Sequence, residues 1–219
     1  MPSLLEVTDL ETHYTGFGGS RVVRAVDGVS FKLEEGRTIG LVGESGCGKT
    51  TTCLSLVRLL SHGAEIRGGS IKLDGRELTT LSMAEMADVR GNEIAMILQD
   101  PMTSLNPLFD IGDQVGEPAE RHDRLKGAGL KDRIKSLLNS VRIPSPEVRM
   151  AEYPHQMSGG MRQRIAGAIA LAGTPKVIIA DEPTTSLDVT IQAQYLDLLR
   201  GLQRDTGVGL IFVTHDLGI

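Results

Sequence analysis

The sequence contains no tryptophan, three tyrosines and four phenylalanines among its 219 residues. A surface that stacks unpaired bases needs aromatic rings, so this poverty counts against single-stranded nucleic acid as a partner. Basic charge is not in excess either. Lys and Arg number 23 against 28 Asp and Glu, a formal net charge of −5, which disfavours binding a phosphate backbone by bulk electrostatics. Two cysteines occur, Cys47 and Cys53. Without further partners or ligand spacing they make neither a disulfide framework nor a zinc site, and a reducing compartment fits. No apolar run approaches the roughly 20 residues that cross a bilayer. The start, MPSLLEVTDL, lacks the basic segment and apolar core of a signal peptide. A membrane role has to come through a partner.

What is present is glycine, 26 residues of it, gathered at the junctions of periodic segments. LLEVTDLETHY and RVVRAVDGVSFKLEEG alternate apolar and polar residues and read as half-buried antiparallel strands. TIGLVG reads as a buried strand, and TTTCLSLVRLLSHG after it as a helix that Gly63 caps. GGSIKLDG and EIAMILQ read as further strands. From about 111 to 152, helical patterns broken by Pro118, Pro144, Pro146 and Pro154 suggest a helical insert. SGGMRQRIAGAIALAG is a helix opened by glycine, KVIIAD an apolar strand with an acidic end, VTIQAQYLDLLRGLQRDTG an amphipathic helix stopped at Gly207, and VGLIFVTH another buried strand. Apolar strands alternating with helices predict an α/β fold with a mostly parallel sheet covered on both faces. Ligands bind such folds at the carboxyl ends of the strands. His13, His62 and His122 read as surface residues, and His155 as a residue shaping the loop ahead of a helix.

Three segments carry chemistry. Gly43, Glu44, Ser45, Gly46, Cys47, Gly48, Lys49 and Thr50 spell GESGCGKT, a match to G-x-x-x-x-G-K-[ST] between a strand and a helix. A chance match in a chain of this length is on the order of one per cent. Backbone amides and a helix N-terminus cradle phosphates there; Lys49 reaches the β- and γ-phosphates and the Thr50 hydroxyl ligates Mg²⁺. In VIIADEP a strand delivers two adjacent carboxylates, Asp181 to hold Mg²⁺ through water and Glu182 to polarise an attacking water. In MSGGMRQR, the Ser158 hydroxyl and the bare amides of Gly159 and Gly160 open a helix. Taken alone that is either a second anion site or a simple N-cap.

These segments, in the order phosphate loop, ILQDP, SGGMRQR, IIADEPTTSLD and VTH, resemble the nucleotide-binding subunit of an ABC transporter over 4–219, nearly the whole chain. The resemblance implies a P-loop NTPase core with an N-terminal antiparallel β subdomain. The core occupies about 1–99 and 163–219, and a helical subdomain is inserted at about 100–162. It implies nucleotide contacts from Gly43 through Thr51 and from Tyr14 against the adenine. Gln99 becomes a sensor of the γ-phosphate and the metal. Ser158, Gly159 and Gly160 press on the ATP of a partner subunit; Ser186, Leu187 and Asp188 cross the interface; His215 contacts the γ-phosphate. With Glu182 these residues make a catalytic set for MgATP hydrolysis. The implied partners are a homologous ATPase subunit in a head-to-tail dimer, transmembrane permease subunits and, indirectly, a solute-binding protein, with no nucleic acid. The place is the cytoplasmic face of the inner membrane.

RGNEIAMILQDPMTSLNP, YPHQMSGGMRQR and ADEPTTSLDVTIQAQ narrow the resemblance to importers of oligopeptides, dipeptides or nickel, with peptides favoured. Members of that branch continue beyond this histidine. The chain is therefore expected to be an N-terminal portion, with apolar surface uncovered near His215 and weak dimerisation and turnover by itself. A DNA-repair ABC ATPase would carry a coiled-coil or zinc insertion, which is absent. A non-catalytic nucleotide module would lack Glu182 or His215, and both are there.

Overall fold

A computed structural model describes residues 3–16, 21–100, 104–185, 187–216 and 218. Its strands fall into two sheets. β1 (Leu5–Thr15), β2 (Val22–Leu33), β4 (Ala64–Leu73) and β5 (Arg76–Glu77) form an antiparallel sheet in the order β2-β1-β4-β5. β3 (Thr38–Val42), β6 (Ile94–Ile97), β7 (Val177–Asp181) and β8 (Gly209–Thr214) form a parallel sheet in the order β3-β8-β7-β6.

Alternation explains the first sheet only with a correction to its period. Leu5 and Val7 are buried on β1, and so are Leu10 and Thr12, which strict alternation would turn outward. A bulge between Val7 and Leu10 inserts the missing residue. Asp9 sits there at φ 45°, its N–H donating to Ser30 Oγ at 2.8 Å. Gly69 lies across from it at φ 88°, where a Cβ would come within 2.4 Å of the Asp9 carbonyl oxygen.

The parallel sheet is covered on both faces. Val177, Ile179, Ile211 and Val213 face a core shared with β1, β4, α1 (Lys49–Leu56) and α2 (Met83–Val89). Ile178, Ala180, Leu210 and Phe212 face a second core. That core is built with α3 (Ile111–Asp123), α4 (Gly127–Ser140), α6 (Gly159–Ala172) and α7 (Val189–Thr206); α5 is the short helix Pro146–Arg149. The helical insert thus shares its apolar core with the sheet. β7 and β8 are buried throughout and end side by side at Asp181 and Thr214.

Three sequence expectations change. TIGLVG is not a buried strand: β3 is an edge of the sheet, paired with β8, and Val42 is half-exposed. The helix after the phosphate loop does not run to Gly63. It ends at Leu56, where Arg58 turns left-handed at φ 50° and the Leu59 N–H folds back to the Leu54 carbonyl. The Arg58 guanidinium fixes that stop by donating to the Leu78 and Leu81 carbonyls. Gly63, at φ 85°, instead leads into β4, and its carbonyl accepts from the Thr15 N–H. Of the histidines, His62 is exposed, but His13 and His122 are half-buried. His13 lies on β1, flanked by β2 and β4, which closes its Nε2 off from solvent.

Candidate active site

The loop after β3 is bent by glycines in the left-handed region, Gly46 at φ 84° and Gly48 at φ 97°. A Cβ on Gly48 would stand 2.2 Å from the Ala25 carbonyl oxygen, so no other residue fits. Gly48 caps α1 without a side-chain hydrogen bond, leaving the first amides of the helix for an external acceptor. Such an N-terminus with its partial positive charge favours phosphate. The Lys49 ammonium is turned onto its own loop, donating to the Gly43 carbonyl at 2.7 Å and the Glu44 carbonyl at 2.9 Å. It also lies 3.8 Å from Glu182 Oε1.

Across from the loop stand the ends of β7 and β8. Asp181 is buried, and its Oδ1 has no hydrogen-bond partner among the described residues. Burial pushes its carboxyl above the ordinary value. A hydrogen bond from Thr50 opposes that, the charge of Glu182 adds to it, and Lys49 opposes it. Glu182 follows the strand in the left-handed region at φ 45°, its N–H held by the Val213 carbonyl at 3.1 Å. For a residue with a side chain this is strain of about 1–3 kcal/mol, held by the surrounding packing. Its Oε2 accepts from Gln99 Nε2 at 2.9 Å and from the Thr185 hydroxyl at 3.3 Å, and lies 3.2 Å from His215 Nδ1.

These groups, Asp181 apart, surround a cavity of about 640 Å³ lined by Glu44, Ser45, Gly46, Gly48, Lys49, Thr50, Thr51, Gln99, Glu182 and His215, together with Ala25 and Thr185. The last two were missed by sequence reasoning. Thr185 could have been suspected from a hydroxyl three residues after Glu182. Ala25 has no local signal, because it comes from β2 and touches the loop only through the fold. Gly43 and Cys47 belong to the loop but are not lining residues; a Cβ on Gly43 would fall 2.6 Å from Cys47 Sγ. Tyr14, on β1 beside Val23 and Ala64, is not among the lining residues either.

The remaining site candidates stand elsewhere. Ser158 caps α6, its hydroxyl accepting from the Met161 N–H at 3.3 Å. Asp188 caps α7 through the Ile191 N–H at 3.0 Å. The two caps are neighbours, since a Cβ on Gly160 would lie 3.0 Å from Ile191 Cγ2. Ser186 lies outside the described residues. His155 stacks on Tyr153, with ring centroids 5.8 Å apart at 16°.

A divalent cation fits the Thr50–Asp181 pair. A hydroxyl and a buried carboxylate oxygen without a partner are hard oxygen donors of the kind Mg²⁺ takes. Among the described residues no cluster of three or more His, Cys, Asp or Glu could hold a metal by itself.

The family model described as ABC transporter matches residues 26–185. The chain is 51% identical over 217 residues to a probable peptide ABC transporter ATP-binding protein, y4tR, of Sinorhizobium fredii, covering 99% of this chain and 64% of that one. It is 49% identical to the dipeptide transport ATP-binding protein DppD of Bacillus subtilis, covering 100% and 65%. With the oligopeptide transport ATP-binding protein OppD of the same organism the identity is 48%, covering 99% and 60%. The chain thus spans less than two thirds of the length of these relatives. Among solved structures, the dimeric ATP-binding cassette MJ0796 in a post-hydrolysis state with ADP and Pi superposes with a TM-score of 0.85. It is 26% identical, over 98% of this chain and 89% of that one.

Proposed function

This chain belongs to the ABC transporter ATPase family, and from that premise we propose that it binds and hydrolyses MgATP to drive import of di- or oligopeptides. The observation that carries the reading is the meeting of Lys49, Gln99, Glu182 and His215 around one cavity floored by the N-terminus of α1. The peptide cargo is supported by the names of the relatives, which are peptide, dipeptide and oligopeptide transport proteins.

The triphosphate lies along Gly46–Thr51, its oxygens taking the amides at the start of α1. Lys49 exchanges the Gly43 and Glu44 carbonyls for phosphate oxygens. The exposed Glu44 carbonyl can turn to water in exchange. Mg²⁺, held by the Thr50 hydroxyl and the unpartnered Asp181 oxygen, would neutralise charge on the phosphates. Glu182 orients a water for in-line attack and receives its proton. Gln99, Thr185 and His215 hold that carboxylate in place, and His215, half in solvent, is positioned to reach the terminal phosphate. Phosphoryl transfer needs mostly positioning and electrostatic stabilisation.

Ser158–Gly160 lie outside this chain's cavity lining; as the family resemblance implies, they would serve the nucleotide of a second, homologous subunit packed head to tail. The dimeric form of the MJ0796 cassette supports the pairing of two subunits. A groove of about 460 Å³ between Leu59 and Leu98 of the core and Pro118 and His122 of the helical insert adjoins Gln99. It suits a segment of the permease, through which the chain would sit at the cytoplasmic face of the membrane. Among the described residues no helix is long and apolar enough to cross it.

Deleting the gene tests the whole reading. Uptake of labelled dipeptide by cells should fall to background and return with the wild-type gene but not with Lys49→Ala. Unchanged uptake in the deletion strain would contradict the peptide assignment.

A further inference from the structure

α6 and α7 are joined along a seam that none of the roles above explains. At its solvent end the Arg164 guanidinium donates to Gln194 Oε1 at 3.0 Å. At its N-terminal end Gly160 lies against Ile191, too close for an added Cβ to pass freely. Between them, fully buried, Gln163 faces Tyr195. Burial pushes the Tyr195 hydroxyl far up from its ordinary range, and the Gln163 carboxamide is the polar group that opposes the shift. A Cβ on Gly167, one turn after Gln163, would sit 3.5 Å from the same hydroxyl. Yet among the described residues the Gln163 Nε2 and Oε1 and the Tyr195 hydroxyl all stop short of a well-formed hydrogen bond. An apolar pair would fill this space without leaving polar groups unsatisfied, so packing alone gives no reason for the two side chains.

Their place in the chain of contacts gives one. α6 starts at Ser158, which faces a partner's nucleotide in the proposed dimer. From Tyr195, α7 runs back to Gln192, whose Nε2 donates to the Thr184 hydroxyl at 3.1 Å. Thr184 is buried and adjoins Thr185, whose hydroxyl holds Glu182 Oε2. The path therefore leads from the anion site offered to the partner to the carboxylate of the chain's own cavity. Its middle is a buried polar pair that a small shift between two helices can make or break.

We propose that Gln163 and Tyr195 are positioning residues that link the two nucleotide sites of the dimer, aligning the Glu182 turn of one site when Ser158–Gly160 engage nucleotide in the other. The inference rests on the head-to-tail reading above. Gripping of the α6 N-terminus moves the helix against α7, the Gln163–Tyr195 bond closes, and the Gln192–Thr184 contact brings Thr185 and Glu182 into register. Neither side chain touches ATP, so affinity for the first nucleotide is independent of the pair.

The test is ATP turnover by the full transporter as a function of ATP concentration, for wild type, Tyr195→Phe, Gln163→Met and the double variant. Tyr195→Phe removes one oxygen and keeps the packing. The expected result is a Hill coefficient that falls from near 2 to near 1 in each single variant. The maximal rate should drop several-fold, MgATP binding to the isolated subunit should stay within two-fold of wild type, and the double variant should be no worse than either single. A loss of thermal stability with the Hill coefficient intact would overturn the proposal and leave the pair a packing feature. Wild-type turnover without cooperativity would overturn it by a separate route, through failure of the two-subunit reading itself.

Discussion

His215 Nδ1 lies 3.2 Å from Oε2 of Glu182, the same oxygen that Gln99 Nε2 reaches at 2.9 Å. The three residues leave the ends of three adjacent strands, β8, β7 and β6, so the order of the parallel sheet is what assembles them. The left-handed turn at Glu182 swings its carboxylate from the strand end toward both neighbours. Positioning of one carboxylate by groups from two other strands is the arrangement on which the following outcomes depend.

His215→Ala should lower the maximal ATPase rate by about 10²-fold or more while leaving nucleotide binding intact, because in the proposed mechanism the imidazole acts on the reacting phosphate and on Glu182 rather than on the bound base. Steady-state kinetics read this directly: the loss should fall on kcat, with KM within a few-fold of wild type. A change confined to KM would place His215 outside the reaction.

Lys49→Ala should weaken MgATP binding about 10- to 100-fold, the size expected for losing a charge-assisted hydrogen bond to an anion. The fold should be unharmed. Lys49 donates to the Gly43 and Glu44 carbonyls of its own loop and lies 3.8 Å from Glu182 Oε1, contacts that belong to the cavity rather than to either apolar core. Titration with a fluorescent ATP analogue beside a melting curve separates the two effects.

Gly48→Ala should abolish nucleotide binding and cost more than about 2 kcal/mol of stability. It places a Cβ against the Ala25 carbonyl at a left-handed φ. Gly129→Ala, in α4 where an added Cβ meets nothing within 4 Å, should instead stabilise by about 0.5–1 kcal/mol. Chemical denaturation of both variants checks the contrast.

Stability should fall in acid partly through Glu77. Burial pushes its carboxyl up, but hydrogen bonds from Ser70 and Thr79 and from the Ile71 and Thr79 amides outweigh it and hold the group at about 2, against an ordinary 4.5. A carboxyl lowered in the folded state contributes fully above its unfolded value, and the contribution disappears as pH falls from 4.5 toward 2. Glu77→Gln should therefore be less stable than wild type at pH 7, and the difference should shrink across that window. A gap that stays constant with pH would contradict the assignment.

Much of this site was legible from residues alone, because its chemistry is local. GESGCGKT and VIIADEP each carry their strand, their turn and their functional groups within a few residues, and the structure puts Lys49, Thr50 and Glu182 on one cavity. Gln99 and His215 carried no such local meaning. They needed the order of motifs to be suspected and the sheet order to be placed. What the sequence hid was set by long-range packing. The halt of α1 at Leu56 depends on Arg58 finding carbonyls about twenty residues away. The exposure of β3 depends on its place at the edge of the sheet. The bulge at Asp9 breaks the period that made β1 recognisable. Ser158 illustrates the limit from the other side: it is an N-cap in this chain, as the plainest reading had it, and an anion site only if a second subunit supplies the anion.

The central claim is that Glu182 performs hydrolysis while the loop from Gly43 to Thr50 holds the nucleotide. Glu182→Gln tests it most directly, since the amide keeps the size and position of the side chain and removes its ability to take a proton. The account predicts that MgATP binds this variant as tightly as wild type, while inorganic phosphate release falls by about 10²-fold or more. Phosphate release at the wild-type rate would contradict it.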